Sequence, residues 1–352
     1  MRDGDGYIGR YIGLDGLRGV AAIMVVLFHA RLFATHGYLA VDLFFIMSGL
    51  VIARAFEQRL AEGQMRFLDF TAQRLVRLYP MLLLGGLVGL GFALAGLAPY
   101  RADDPADLTL AIVSQFTLIP LLSASSMMFP LNNPQWSIVW ELAVNLAFAA
   151  GLCRLRSGAI VLIAALAATV LVWFAVNSET LAVGVDRGGV LAGLARAAFG
   201  FFAGVLLHRT RGRWEERVPR LHFAVPALLF MLLAAMPPTM VPNGPLFGAY
   251  DLGVVIFLLE PIAMLAARSR GGAVAAALGQ ASYPLYAVSE PVIFWLVYFT
   301  TVGQGVIIGA VIVLVALSWA LGRWVDAPLN AWRRSAMGRS AAAPVTGRGA
   351  PA

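Results

Sequence analysis

Residues 14–33 read LDGLRGVAAIMVVLFHARLF, an apolar run with an arginine and a histidine inside it. Arg18 and His29 are eleven residues apart. A helix turns about 100° and rises about 1.5 Å per residue, so it places these side chains on one face, about 16 Å apart. Ionisable groups inside a bilayer cost at least ~2.5 kcal/mol each and usually mark a functional site. The run therefore predicts a functional membrane helix. The alternative is that Arg18 reaches the headgroup layer and His29 is an ordinary polar residue of a helix bundle.

The composition of the whole chain is typical of a membrane protein. Of its 352 residues, 60% are hydrophobic and only 13% are charged, and apolar runs of about 17 to 21 residues recur along its length. Strand-length alternation is absent, which favours helices over a barrel of strands. We therefore expect an all-α fold, a polytopic membrane helix bundle. Residues 1–330 would form one transmembrane domain, and 331–352 a disordered cytoplasmic tail.

The arginines indicate how the chain is threaded through the membrane. The net charge is +7 and the chain has no lysine; most arginines lie in short connections between apolar runs. This is the positive-inside pattern and not a nucleic-acid-binding patch. It predicts about ten transmembrane helices with both termini cytoplasmic. The apolar stretch 108–122 does not fit the alternation and is expected to be re-entrant or a surface helix; an eleventh span is the alternative. The predicted spans lie near 14–33, 38–56, 79–98, 135–153, 157–176, 189–208, 221–237, 250–267, 281–299 and 305–324.

Two carboxylates are predicted to lie at the depth of the histidine. Asp42 falls about four residues into the second span, and Glu141 about two turns into the fourth, each counted from the outer side. Either carboxylate could orient the His29 imidazole and raise its basicity. For Asp42 the alternative is a hydrated residue at the interface. Later in the sequence, Arg196 of the sixth predicted span and Glu260 of the eighth are expected to form an ion pair.

The stretch TAQRLVRLYP, which ends at residue 80, carries candidate phosphate-binding residues. Arg74 and Arg77 are three apart and hence on one helix face, next to Tyr79. Guanidinium groups bind phosphates bidentately, so these residues suit a cytosolic ligand with phosphates; positive-inside charge is the alternative reading. The prolines of the ninth predicted span would open a polar cavity in the bundle. The substrate-binding candidates are Ser48, Trp136, Tyr283, Tyr286 and Glu290.

Several familiar catalytic motifs are absent from the sequence. There is no Walker loop, GxGxxG, HExxH, GxSxG or paired CxxC, and no cluster with the spacing of metal ligands. The single cysteine, Cys153, excludes an internal disulfide. We therefore expect no metal and no permanently bound cofactor.

Six short segments follow one another across residues 10–330. They are LDGLRG at 14–19 with His29 ten residues further on, VDLFF at 41–45 followed by Ser48 and Gly49, Arg74-x-x-Arg77-Leu-Tyr79-Pro80, Trp136-Ser137 with Glu141, SYPLY at 282–286, and Asp326-Ala327-Pro328. Each is weak alone. Together, in this order, they resemble the acyltransferase 3 family of integral membrane acyltransferases.

The resemblance implies a function as well as a fold. Members of this family transfer an acyl group, commonly acetyl from acetyl-CoA, to a hydroxyl of a carbohydrate or another acceptor. Arg18 and His29 match the arginine and histidine signature that is regarded as essential. The sequence departs from the family pattern where a histidine usually follows the SYxLY segment, because Ser289, Glu290 and Pro291 stand there. The resemblance implies an enzyme of the cell inner (plasma) membrane that takes acyl-CoA from the cytoplasm as co-substrate.

Acyl transfer from a thioester requires a base that takes the proton of the acceptor hydroxyl. His29 is the expected base, because its unperturbed pKa of ~6.5 suits neutral pH, with one of the two carboxylates orienting its ring. Arg18 lies too far from His29 to touch the same atom. It is expected to bind the coenzyme A donor together with Arg74, Arg77 and Tyr79. The competing function is a proton-coupled small-solute transporter, in which the same polar groups relay protons.

Overall fold

The structure, a computed structural model, consists of α-helices, and it describes residues 11–97, 105–122 and 127–331. Within these ranges the β-type pairings are isolated bridges and not strands. The all-α prediction is therefore confirmed. The tail predicted at 331–352 lies, apart from its first residue, outside the described residues. The helices are α1 (Ile12–His29), α2 (Ala40–Ala61), α3 (Phe67–Leu94), α4 (Pro105–Thr117), α5 (Gln135–Ala150), α6 (Ser157–Asn177), α7 (Val190–Arg209), α8 (Arg211–Trp214), α9 (Ala224–Ala234), α10 (Pro245–Gly253), α11 (Leu259–Arg268), α12 (Ala273–Phe299) and α13 (Gln304–Leu321).

Length and composition mark many of these helices as membrane spans. In the described part of the chain, seven helical segments are long and apolar enough to cross a membrane. They are α1, α2, α3, α6, α7, the joined pair α10–α11, and α13 with its continuation. Helices α5 and α9, with 16 and 11 residues, are shorter than the ~20 residues of a typical span. A bundle of membrane helices is confirmed, whereas the count of about ten and the cytoplasmic position of both termini stay predictions.

Helices α2 and α7 form the centre of the bundle. In each, 72% of the apolar window is buried, against 33% in α6 and 22% in α13, which lie at the periphery. Glycines allow the two central backbones to touch. A Cβ on Gly49 would lie 1.9 Å from the carbonyl oxygen of Phe201, and one on Gly204 would lie 2.1 Å from that of Ile46. Small residues at such contacts are the usual means of close helix approach in membranes.

Helices α1, α3 and α12 run in the same direction. In α1, Gly19 lies against Leu278 of α12. In α3, the Leu78 carbonyl accepts a hydrogen bond from Tyr283 of α12, and further along Phe92 stacks on Trp295. Because all three helices rise together, a residue of α1 can be placed at the level of a residue of α3. Counting residues from these contacts places Arg18 of α1 within about one turn of Arg74 of α3.

Helix α4 does not cross the bundle. Its 13 residues span about 20 Å, which is too short for a membrane. Its end meets the middle of α3, where the Tyr79 hydroxyl donates to the Phe116 carbonyl at 3.0 Å. The chain then returns between the helices, with Leu131 against Gly89. Helix α5 therefore begins deep in the bundle, and its first residue, Gln135, is fully buried.

Candidate active site

Helix α1 carries both residues on which the sequence analysis centres. It runs without interruption to His29, so Arg18 and His29 are separated by about 16 Å along its axis. Arg18 lies 4.0 Å from Asp15, and 29% of its side chain is exposed. His29 is partly exposed at the far end of the helix, with its ring 5.4 Å from the ring of Phe28. Neither side chain is sealed inside the protein.

Ionised side chains from α1, α3 and α5 lie together at the level of Arg18, with a serine hydroxyl from α2. Arg74 donates to Glu141 at 3.0 Å, and the Ser48 hydroxyl donates to the same carboxylate oxygen at 2.7 Å. The charges of Arg18 and Arg77 are close enough to interact with that of Arg74. Like charges so close repel each other in a low-dielectric interior, and the carboxylate offsets only part of that repulsion. We call these five residues the arginine cluster; it holds three guanidinium groups and one carboxylate.

A second carboxylate, from Asp326 after α13, binds an arginine of the arginine cluster. Arg77 donates to both carboxylate oxygens of Asp326 at 2.7 Å. The Arg77 guanidinium also lies over the Tyr283 ring, 5.1 Å from its centroid, a distance at which cation–π attraction operates. The Tyr283 hydroxyl donates to the Leu78 carbonyl. Sequence reasoning assigned no role to Asp326, although a carboxylate after a long apolar helix was a signal for a buried partner.

Tyr79 has a different environment from the two arginines before it. Its hydroxyl donates to the backbone carbonyl of Phe116, which fastens the end of α4 to α3. A single phenolic hydrogen has one acceptor at a time. The Tyr79 hydroxyl is therefore bound to the protein backbone in this structure, and its expected contact with a donor phosphate stays a prediction.

Asp42 and Arg196 form a buried ion pair between α2 and α7. Arg196 donates to the two carboxylate oxygens at 2.6 and 3.0 Å, and both side chains are 1% exposed. Its other bonds go to the carbonyls of Tyr38 and Val183. The guanidinium also lies 5.4 Å from the centroid of the Trp136 ring. The pair thus has the bidentate geometry and additional bonds that a buried ion pair requires.

This pairing corrects two predictions. The expected partner of Arg196, Glu260, was wrong, because the tight contact of α2 with α7 brings Arg196 to Asp42 instead. Gly200, one turn beyond Arg196, touches the backbone of Asp42 at that contact. The expected contact of Asp42 with His29 was also wrong. Both Asp42 oxygens accept from the arginine, and within the described part of the chain no hydrogen bond joins them to the imidazole.

The predicted depth of Glu141 needs a correction too. Counting from an outer end of the helix placed it beside His29, but it lies beside Arg74 at the level of Arg18. The reason is the returning chain before α5, which is already sunk between the helices when the helix begins at Gln135. Among the described residues Glu141 makes no hydrogen bond to the imidazole. It belongs to the arginine cluster.

The two remaining candidates, Tyr286 and Glu290, lie buried on α12. The Tyr286 hydroxyl lies 2.6 Å from that of Ser137, and its ring meets the edge of Phe44. Glu290, one turn further along α12, is 7% exposed. Of the substrate-binding candidates, Ser48 belongs to the arginine cluster and Tyr283 contacts it. Trp136 contacts Arg196. Tyr286 and Glu290 lie further along α12 than Tyr283. The described residues hold no group of three or more His, Cys, Asp or Glu side chains that could bind a metal ion.

Fold and site together define a class, a multi-pass membrane protein whose interior holds ionised side chains. The comparisons narrow it to a family. A family model described as an acyltransferase domain matches residues 11–323, so the chain belongs to the acyltransferase 3 family. The resemblance seen in the sequence is confirmed, and the protein is a membrane acyltransferase.

Several curated proteins are similar to parts of the chain. Protein 2 in the picA locus of Rhizobium radiobacter is 36% identical over 186 residues, 46% of this chain and 93% of that protein. The putative membrane-bound transacylase BcsY of Komagataeibacter xylinus is 38% identical over 91 residues, 26% of this chain and 22% of that protein. O-acetyltransferase OatA of Staphylococcus aureus is 36% identical over 91 residues, 25% of this chain and 15% of that protein. The match thus spans less than a quarter of each of the last two relatives. No solved structure matches the chain.

Proposed function

We propose that the protein transfers an acyl group, in the first place acetyl, from acyl-CoA to a hydroxyl of a glycan or another cell-surface or secondary-metabolite acceptor. It would act in the cell inner membrane, with the donor entering from the cytoplasm. The observation that carries the proposal is the layout of α1. Its Arg18 end lies in the arginine cluster and its His29 end is partly exposed about 16 Å away, so one helix would connect a site for phosphates with a base. The named relatives, a transacylase and an O-acetyltransferase, support the same reaction class.

The arginine cluster is the proposed donor site. Coenzyme A carries phosphates, and arginine is the side chain best suited to bind them. Arg77 keeps 39% of its side chain exposed and Arg18 29%, so both can meet a ligand. In the described structure the Nε of Arg74 is buried without a hydrogen-bond partner, and a buried unpaired donor is costly. A phosphate or pantetheine oxygen would satisfy it. Glu141 and Asp326 hold the guanidinium groups in place.

His29 is the proposed general base. It takes the proton of the acceptor hydroxyl as that oxygen attacks the thioester carbonyl carbon. The carbon–sulfur bond then breaks, and the coenzyme A thiolate leaves with the proton that the imidazolium returns. The partners first assigned to His29 are used elsewhere, since Asp42 binds Arg196 and Glu141 binds Arg74. Tyr286 and Glu290 are the proposed acceptor contacts on α12.

Steady-state kinetics with purified protein test the proposal. Release of coenzyme A from acetyl-CoA is followed with a thiol-reactive chromophore in the presence of a hydroxyl acceptor. His29→Ala should lower kcat at least a hundredfold, because general base catalysis typically contributes about 10²–10⁴. The matched control is His222→Ala, a change of an exposed histidine in the loop before α9. Near-normal turnover of His29→Ala would rule out His29 as the base.

Donor binding is tested separately by titration with coenzyme A. Arg18→Ala should weaken binding at least tenfold, since one charge-assisted contact is worth about 1.5–3 kcal/mol. Arg220→Ala, in an exposed position outside the cluster, is the control for a general loss of positive charge. Unchanged affinity in Arg18→Ala would contradict the donor site.

A further inference from the structure

A cavity of about 300 Å³ opens beside the end of α1 that carries His29. Its walls come from three separate parts of the chain: the end of α1 with the turn after it, the loop between α6 and α7, and the loop before α10. The volume is at the lower end of the range of small-molecule sites. We call it the Phe247 cavity; the lining residues that matter are Phe28, Tyr38, Glu179, Thr180, Asn243 and Phe247.

A single buried carboxylate joins the walls of the Phe247 cavity. Asp251 is fully buried. It accepts hydrogen bonds from the Tyr38 hydroxyl at 2.5 Å, from the Thr180 hydroxyl at 3.1 Å and from the backbone N–H of Leu181 at 2.8 Å. The Nδ1 of His36 lies 2.8 Å from its other oxygen. Four contacts from two loops hold the walls in one arrangement, and such preformed walls lower the entropic cost of binding.

The lining combines aromatic faces with hydrogen-bonding groups. Phe28 and Phe247 form apolar walls, and Glu179 and Asn243 stand at the exposed rim. Glu179 has φ 55°, a left-handed conformation that costs a non-glycine residue energy and often marks a ligand site. A sugar presents a C–H face to an aromatic ring and hydroxyls to carboxylate and amide groups. The Glu179 carboxylate disfavours an anionic ligand, and the polar rim disfavours a lipid chain.

We propose that the Phe247 cavity binds a neutral saccharide unit of the acyl acceptor. The inference rests on the proposed function and specifies its acceptor side. The cavity lies at the same end of α1 as the base, because Phe28, which lines it, directly precedes His29. A saccharide held there would present a neighbouring hydroxyl to the imidazole. The arginine cluster lies toward the other end of α1, so donor and acceptor would approach the imidazole from opposite ends of the helix.

Binding of neutral trisaccharides to the full-length protein in detergent tests the inference. Maltotriose, cellotriose and triacetylchitotriose are titrated, with saturation-transfer NMR as the readout. At least one should bind, and Glu179→Gln and Asn243→Ala should each raise its Kd at least fivefold. Both residues are exposed, so these variants are expected to fold, and thermal unfolding checks it. The matched control, Glu216→Gln in an exposed loop outside the cavity, should leave the Kd unchanged. No binding of any trisaccharide, or equal Kd in all four proteins, overturns the inference.

The same samples separate this inference from the proposed function. Saccharide binding that depends on Glu179, in a protein that does not bind coenzyme A, would leave the cavity assignment standing and refute the donor site. Acetyl transfer to a trisaccharide with a KM that Glu179→Gln and Asn243→Ala do not change would support the enzyme and refute the cavity.

Discussion

The ion pair of Asp42 with Arg196 provides a quantitative test of the structure. Replacing Arg196 by methionine leaves the Asp42 carboxylate in the interior without its cation, and removing one partner of such a pair typically costs about 3–5 kcal/mol. The geometry of the pair supports a loss of this size. The two bonds are 2.6 and 3.0 Å long and both side chains are 1% exposed. The carbonyls of Tyr38 and Val183 also lose their donor.

The double variant Asp42→Asn with Arg196→Met removes both charges together. Because no uncompensated charge remains, we expect it to regain at least about 2 kcal/mol of the loss seen in Arg196→Met. The single variant Asp42→Asn completes the cycle, from which the coupling energy of the pair is calculated. Unfolding in mixed micelles of increasing dodecyl sulfate content measures the four free energies of the cycle. Arg66→Met, which breaks the exposed pair with Asp69, is the control and should leave unfolding unchanged.

Turnover of the same variants distinguishes a structural from a catalytic role of Asp42. The carboxylate does not contact His29, so kcat per folded molecule of the double variant should stay within about threefold of the wild type, a difference of less than about 1 kcal/mol in the barrier. A double variant that folds normally but has lost about a hundredfold in kcat would show that Asp42 acts on the imidazole. The assigned partner would then be wrong.

Two further predictions concern helix contact and the donor site. Gly49→Ala would put a Cβ 1.9 Å from the Phe201 carbonyl, so it should lower the free energy of unfolding by at least about 1–3 kcal/mol. The control Gly309→Ala, with open space around it, should not lower it. Equal stability of the two variants would contradict the α2–α7 contact. Glu141→Gln removes the charge that holds Arg74, so steady-state kinetics should show the KM for acetyl-CoA rising by a larger factor than kcat falls. A fall in kcat alone would indicate that Glu141 acts on His29, as the sequence analysis expected.

The membrane fold and the position of Arg18 and His29 on one helix could be predicted because both depend on local properties of the chain. Apolar runs and arginine-rich connections predict helices in a bilayer without knowledge of their neighbours. The face and separation of two residues on one helix follow from helix geometry alone. Helix α1 extends over both residues as predicted.

The partners of the buried carboxylates could not be predicted, because they depend on contacts between distant helices. The choice of Arg196 by Asp42 follows from the glycine contact of α2 with α7, and no spacing in the sequence announces which helices meet. The depth of Glu141 was misjudged because the count assumed that α5 starts at the membrane surface. The returning chain after α4 shifts that start into the bundle. Likewise, the Phe247 cavity is built from three separate parts of the chain, so no continuous motif indicates it.

A disulfide trap on coenzyme A measures the central distance most directly. In a Cys153→Ser background, which removes the single native cysteine, His29→Cys places a thiol where the imidazole stood. If the arginine cluster binds the donor phosphates, the pantetheine arm must reach across the about 16 Å from Arg18 to position 29. Mass spectrometry after mild oxidation should then find a coenzyme A adduct at position 29. It should form at least ten times faster than with Leu317→Cys on the exposed face of α13, and Arg18→Ala should slow it. Equal rates at positions 29 and 317, or a rate that Arg18→Ala does not change, would contradict a donor held between the two ends of α1.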